Sequence, residues 1–210
     1  MEGLSEFKQL QPSNVITDLI QLIDEYLPGF TSSSEFVKIL EKKKNENQHS
    51  LSFCVYMTNR CNSRFYFGRE NAQFGSSVID IGVYYGENLI FTIEAKLLPT
   101  PTGTKKSPRD EHEYVYGAGA GIQRFKDERH GLDNIGNLLP ESGMIAFVKQ
   151  KDYNYWLKKV NQWILDASWT DAEKLQGNIS DAIAKLCSSH IRKGKTHVLL
   201  HHYWITVTVA

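Results

Sequence analysis

The residues of this chain best suited to chemistry are two acids and a lysine in the stretch VIDIGVYYGENLIFTIEAKLL, Val78 to Leu98. Two runs rich in β-branched and aromatic residues flank Gly86-Glu87-Asn88, so the stretch reads as a β-hairpin. Its first strand carries Asp80 and its second carries Glu94 and Lys96. Side chains two apart on a strand share a face, so Glu94 and Lys96 point one way and Ala95 the other. A loop over Gly86-Glu87-Asn88, with Asn88 supplying a left-handed residue, pairs Tyr85 with Leu89, Val83 with Phe91, Ile81 with Ile93 and Ile79 with Ala95. Every one of those pairs is apolar, and the same register sets Asp80 opposite Glu94 on the other face, with Lys96 beside Val78. A loop shorter by one residue would break the apolar pairing, so the hydrophobic pattern selects the register.

Opposed carboxylates repel unless something positive lies between them. Lys96 offers one charge; a divalent cation offers two. Asp80, Glu94 and the Ala95 carbonyl are hard oxygen donors that suit Mg²⁺ (or Mn²⁺), and Mg²⁺ binds through one or two carboxylates plus waters and substrate phosphates. A neighbouring ammonium could orient or help deprotonate an attacking water and stabilise charge building on a phosphate. The chemistry is that of phosphodiester hydrolysis. The plain rival is a structural ion-pair cluster, but buried charge is costly and survives mainly where it is paired or functional.

Asp80 followed by Glu94-Ala95-Lys96 at the end of a second strand resembles the PD-(D/E)xK nucleases, the restriction-endonuclease-like superfamily. The resemblance covers roughly residues 44–150 and departs from the named pattern in placing Ile79, not proline, before the aspartate. It implies an α/β fold with a mixed central β-sheet flanked by helices, and a Mg²⁺-dependent deoxyribonuclease that acts in restriction, defence or repair and can form a homodimer. Asp80 and Glu94 would hold metal, and Lys96 would activate or position water. A glutamate from the preceding helix often completes the acidic cluster; Glu46 occupies that place in chain order, with Glu70 as its rival. Gln123 and Arg124 fall where the superfamily's next helix carries polar residues facing the site. Two alternatives stay open: an inactive nuclease-like nucleic-acid-binding or scaffold module, and a carboxylate-pair glycoside hydrolase, in which Lys96 has no obvious task.

The rest of the chain must build a frame for that hairpin. At 210 residues and 41% hydrophobic content, one sizeable core and a single domain are expected. Lys plus Arg equals Asp plus Glu at 24 each, so an anionic partner must be held by a local patch. Lys105, Lys106 and Arg109 in the loop PTPTGTKKSPRDEH are candidates for contacting a DNA backbone, although a plain solvated loop predicts the same composition. Cys54, Cys61 and Cys187 lack disulfide or zinc spacing, and no segment approaches the ~20 apolar residues that span a bilayer. A cytoplasmic protein without a membrane partner is the expectation.

Apolar spacing predicts a helix from Ser13 or Asn14 through Ile16, Leu19, Ile20, Ile23 and Tyr26, stopped by Pro28-Gly29, and a second capped within Ser32 to Ser34. Residues 47–58 fit either a strand or a helix with Leu51, Cys54, Val55 and Thr58 on one face; helix is preferred. RFYFGRE and the two hairpin runs form a meander. Beyond the loop come a helix over 120–129 ended by Gly131, a strand GMIAFVK, helices YNYWLKKVNQWIL and AEKLQGNISDAIAKLC, and a β tail THVLLHHYWITVTV. GAGAG, Gly117 to Gly121, lacks the phosphate-loop pattern and reads as a flexible helix entry. His197, His201 and His202 show no acidic partner and read as packing or surface residues, and Trp156 with Trp163 reads as a buried helical stripe.

Overall fold

A computed structural model describes residues 12–40, 46–73, 78–103, 109–117 and 119–207. Helix α1 (Pro12–Tyr26) stops just before Pro28, as its sequence predicts, and the chain continues as a 3-10 turn (Leu27–Ser32). Ser33 then caps α2 (Ser34–Leu40), its Oγ accepting the Phe36 N–H at 3.2 Å. Residues 47–58 are helical, within α3 (Glu46–Arg60). The buried face of α3 differs from expectation: Phe53, Cys54, Tyr56 and Met57 point inward while Leu51 and Val55 are exposed. The cause is aromatic packing, since Phe30 meets Phe36, Phe53 and Tyr56 edge-on at 5.0, 5.8 and 5.3 Å.

The meander forms as strands β1 (Tyr66–Ala72), β2 (Val78–Tyr85) and β3 (Asn88–Leu98). A 3-10 turn (Glu111–Tyr114) and a short α4 (Ile122–Lys126) lead to β4 (Glu141–Val148) and α5 (Tyr153–Asp166), the latter capped by Asp152, which accepts the Tyr155 N–H at 2.7 Å. Helix α4 is shorter than the 120–129 expected and stops at Asp127, before Gly131. The expected helix AEKLQGNISDAIAKLC is instead a 3-10 turn (Asp171–Glu173) followed by strands β5 (Gln176–Ile179) and β6 (Ile183–Ile191). Pairing overrides its helical composition: β6 lies between β5 and β7 (His197–Thr206), antiparallel to both, and alternates buried Leu186, Ser188 and His190 with exposed Cys187, Ser189 and Ile191.

All the strands join one seven-stranded sheet in the order β1-β2-β3-β4-β7-β6-β5. The β3–β4 and β4–β7 pairs are parallel and the others antiparallel. Leu19, Ile23, Phe53 and Met57 of α1 and α3 cover one face through Ile81, Val83, Phe91, Ile93, Ala95 and Leu97. Ile122, Phe125, Trp156, Val160 and Trp163 of α4 and α5 cover the other through Met144, Ala146, Leu200 and Trp204. The fold is therefore mixed α/β with helices on both faces of a mixed sheet. Among the described residues no helix is long and apolar enough to cross a membrane.

Candidate active site at the β2–β3 fork

The hairpin turn is tighter than its sequence suggests. Tyr85 pairs with Asn88 around Gly86-Glu87, and the left-handed residue is Gly86 at φ 60 rather than Asn88. A bulge follows at once, between the pairs Tyr84–Leu89 and Val83–Phe91, and takes up Ile90. The register thereby returns to the expected Val83–Phe91 and Ile81–Ile93 pairs. Beyond Ile93 the paired register ends. Ile79 packs into the cluster on the α4–α5 face while Ala95 stays on the α1–α3 face, so the expected Ile79–Ala95 pair does not form.

The parting of the strands opens one edge of β3, and acids close it. Asp80 Oδ2 accepts the Ala95 N–H at 2.8 Å, and Glu46 Oε2 accepts the Leu97 N–H at 3.0 Å. Glu46 is the first residue of α3, and thus a helix start, a sheet strand and the β3 edge converge at one point. On the other face of β3 from Ala95 and Leu97, Glu94 is 1% and Lys96 5% exposed. Glu94 Oε1 accepts Lys96 Nζ at 2.6 Å and Arg124 Nη1 at 3.1 Å. Its Oε2 is buried with no hydrogen-bond partner among the described residues, and His130 Nε2 lies 4.0 Å from it.

The electrostatics follow from this crowding. Burial first, and then the adjoining Glu94 carboxylate, push Asp80 up to about 7. Burial lifts Glu46 above the ordinary carboxylate range against the pull of Lys96. Burial alone would lower Lys96, but Glu94, Glu46 and Asp80 outweigh it and hold the ammonium above its usual value. His130 is pushed down to about 3 by burial, with Arg124 and Lys96 adding to it, and stays neutral. The site is a dense negative cluster that retains a proton near neutrality.

These residues fit a hard divalent cation. The orphaned Glu94 Oε2 lacks the hydrogen-bond partner that a buried carboxylate oxygen requires, although Lys96 and Arg124 hold Oε1 of the same carboxylate. Asp80 lies against it, and the Ala95 carbonyl leaves the strand on the same open edge as the Ala95 N–H. Among the described residues no group of three or more His, Cys, Asp and Glu could hold a metal ion, and the carboxylates of the site are engaged with Lys96, Arg124 and backbone N–H groups. That pattern suits an ion that keeps most of its waters better than one caged by protein.

Asp80, Glu94, Lys96 and Glu46 are brought together, but not by the expected Asp80–Glu94 cross-strand pair: the β2–β3 register ends at Ile81–Ile93, and Asp80 reaches the Ala95 N–H instead. Glu70 is not among them: its exposed side chain pairs with Arg69. Arg124 faces the site as the resemblance implied, bound to Glu94, while Gln123 Oε1 accepts the Gly117 N–H at 3.1 Å and braces the glycine-rich segment. Arg109 pairs with Glu113 at 2.7 Å. Lys105 and Lys106 lie outside the described residues. His201, contrary to expectation, has an acidic partner, Glu141, at 2.7 Å. Gln73 and His130 were missed altogether. Gln73 Nε2 donates to the Leu132 carbonyl at 2.9 Å, which turns its Oε1 towards His130 Nδ1 at 3.2 Å. His130 Nδ1 is therefore the donor, and its bare Nε2 faces Arg124 and Glu94. Both residues sit in loops far apart in the chain, and no local pattern marks them.

Comparison of the chain with protein-family models, with curated proteins and with solved structures finds no match.

Proposed function

We propose that this chain is a metal-dependent nuclease with a restriction-endonuclease-like core, hydrolysing DNA phosphodiester bonds with Mg²⁺ or Mn²⁺. The observation that carries the reading is the fork itself: Asp80, Glu46 and the Glu94–Lys96 pair meet where β2 leaves β3, with one Glu94 oxygen unpartnered. Asp80, Glu94 and the Ala95 carbonyl would hold the ion, with Glu46 behind them. The bound ion supplies a water of lowered pKa and polarises a phosphoryl oxygen.

The chain's own groups divide the remaining work. Lys96 stays an ammonium because three carboxylates favour its charge, so it orients water and stabilises the phosphate's developing charge rather than accepting a proton. The Arg124 side chain is 28% exposed while Lys96 and Glu94 are almost wholly covered. Arg124 is therefore placed as the cation an incoming phosphate meets first. The glycoside-hydrolase reading loses ground, since Lys96, bound to Glu94 within the site, has no task in a carboxylate-pair glycosidase.

The test is incubation of supercoiled plasmid and linear duplex DNA with purified protein and Mg²⁺ or Mn²⁺. Wild type should cut both, chelator should stop it, and Asp80→Asn and Lys96→Gln should each lose about a hundredfold or more in rate while keeping the native circular dichroism spectrum. DNA binding without metal-dependent cleavage would replace the enzyme by the inactive binding module.

A further inference from the structure

On the α4–α5 face of the sheet a chain of buried polar side chains runs away from the site. Trp204 Nε1 contacts Tyr114 Oη at 2.9 Å, and Tyr114 Oη contacts His202 Nδ1 at 2.8 Å. Ser188 Oγ lies 2.7 Å from His202 Nε2 and 2.7 Å from His190 Nε2. His190 Nδ1 ends the chain 3.2 Å from Glu173 Oε1, which Lys126 also holds. Tyr114, His190, His202 and Trp204 are each 0% exposed.

Donor logic gives this chain one direction. Indole N–H can only donate, so Tyr114 accepts from Trp204, and its own proton has no acceptor but His202 Nδ1 among the described residues. A neutral His202 then carries its proton on Nε2 and donates it to Ser188, leaving the Ser188 proton for His190 Nε2. His190 is left with its proton on Nδ1, where an ionised Glu173 accepts it. Although burial opposes it, hydrogen bonds from His190 and Lys126 hold Glu173 at about 2, an ionised acceptor consistent with the same direction. Reversal would need an imidazolium at His190 and would strand the Tyr114 proton, both costly where water is excluded. Glu173, His190 and Ser188 share the connectivity of a nucleophile triad, but Ser188 is 3% exposed and its oxygen is already taken by His202, so no substrate reaches it.

The two ends of the chain hold the two ends of one segment. Tyr114 closes the 3-10 turn, and Lys126, bound to Glu173 and lying 4.2 Å over the Trp169 ring, closes α4. Between them the backbone is cross-tied, Gly121 N–H to the Glu113 carbonyl at 2.8 Å and Gln123 N–H to the Val115 carbonyl at 2.9 Å. Arg124 projects from this span onto Glu94. We propose that the directional chain Trp204–Tyr114–His202–Ser188–His190–Glu173 is a clamp that positions residues 111–117 and 119–126, and through them Arg124, over the carboxylate fork. Ser188, His190 and His202 are positioning residues.

The claim concerns where Arg124 is held, and its test uses neither metal nor nucleic acid, so its failure is distinct from failure of the nuclease reading. Long-range proton–nitrogen spectra of the full chain at pH 7 should show both imidazoles neutral, His190 protonated on Nδ1 and His202 on Nε2; a charged ring or the opposite tautomers would overturn the assignment. Ser188→Ala cuts the chain at its centre, and the Arg124 and Asp127 amides should then exchange about tenfold faster than in Ile145→Val, a core change on the other sheet face, compared at equal global stability. Ser188→Thr, which keeps the hydroxyl, should restore the wild-type rates and tautomers. Unchanged protection in Ser188→Ala, or no recovery in Ser188→Thr, would reduce the chain to ordinary core packing.

Discussion

Asp80 carries a charge that the folded protein resists. Its carboxyl is raised from an ordinary 3.8 to about 7, so the folded state keeps a proton that the unfolded chain has released. Stability from this group is present below about pH 4 and is lost as the pH rises through about 7. In chelator, urea midpoints of wild type and Asp80→Asn should therefore diverge with pH, the variant gaining on wild type between pH 5 and pH 8, and Mg²⁺ at pH 8 should raise the midpoint of wild type far more than that of the variant. His49 works in the opposite sense. Burial, with Lys149 adding to it, pushes its pKa down to about 4, and neither ring nitrogen has a hydrogen-bond partner among the described residues; the ring lies between Phe36 and Phe147. Its contribution is present above pH 6.5 and lost as the pH falls through about 4. Replacing it by leucine should add about 1 to 3 kcal/mol in denaturant titrations at pH 7 and flatten the acid limb.

At the level of elements, what could be read from the chain depended on how local the deciding contact is. The hairpin was legible because alternating apolar residues select a register, and the bulge that absorbs Ile90 defends that register even though the turn itself is one residue tighter. Strand β6 was not, since Ala184, Lys185 and Leu186 favour a helix in isolation and only the partner β7 makes them a strand. The α3 face was misjudged for the same reason: Phe30, met from a different element, decides which side of the helix is buried. Of the site, Asp80, Glu94 and Lys96 follow from the hairpin, while Glu46, with Glu70 as its rival, follows only from the nuclease resemblance. His130 and Gln73 depend on loop packing that no periodicity encodes. Helix α4 seats so closely that a Cβ on Gly121 would stand 2.7 Å from the Tyr114 carbonyl oxygen and 2.4 Å from Met144 Cε. The carbonyl belongs to the backbone and cannot swing aside. Gly121→Ala should thus cost about 1 to 3 kcal/mol by thermal unfolding and, by shifting Arg124 from Glu94, slow cleavage more than a distant change of equal cost.

For the molecule as a whole, the sheet order places the site off centre. Strands β3, β4 and β7 form the parallel middle, covered on both faces, and the fork lies at the border where this middle meets the antiparallel β1–β2 ribbon. A rigid, covered centre can hold Glu94 and Lys96 against their desolvation cost, while the diverging ribbon leaves an edge on which Asp80 and Glu46 can gather. With balanced formal charge, attraction for the proposed DNA substrate would have to come from a local patch and not from the protein's overall field. The central claim is that the fork binds one divalent ion through Asp80 and Glu94. Calorimetric titration of purified protein with Mn²⁺ at pH 7.5 tests it most directly: a single ion per chain, bound with release of a proton and lost in Glu94→Gln, is the predicted result, and an absence of binding, or binding that Glu94→Gln leaves intact, would contradict it.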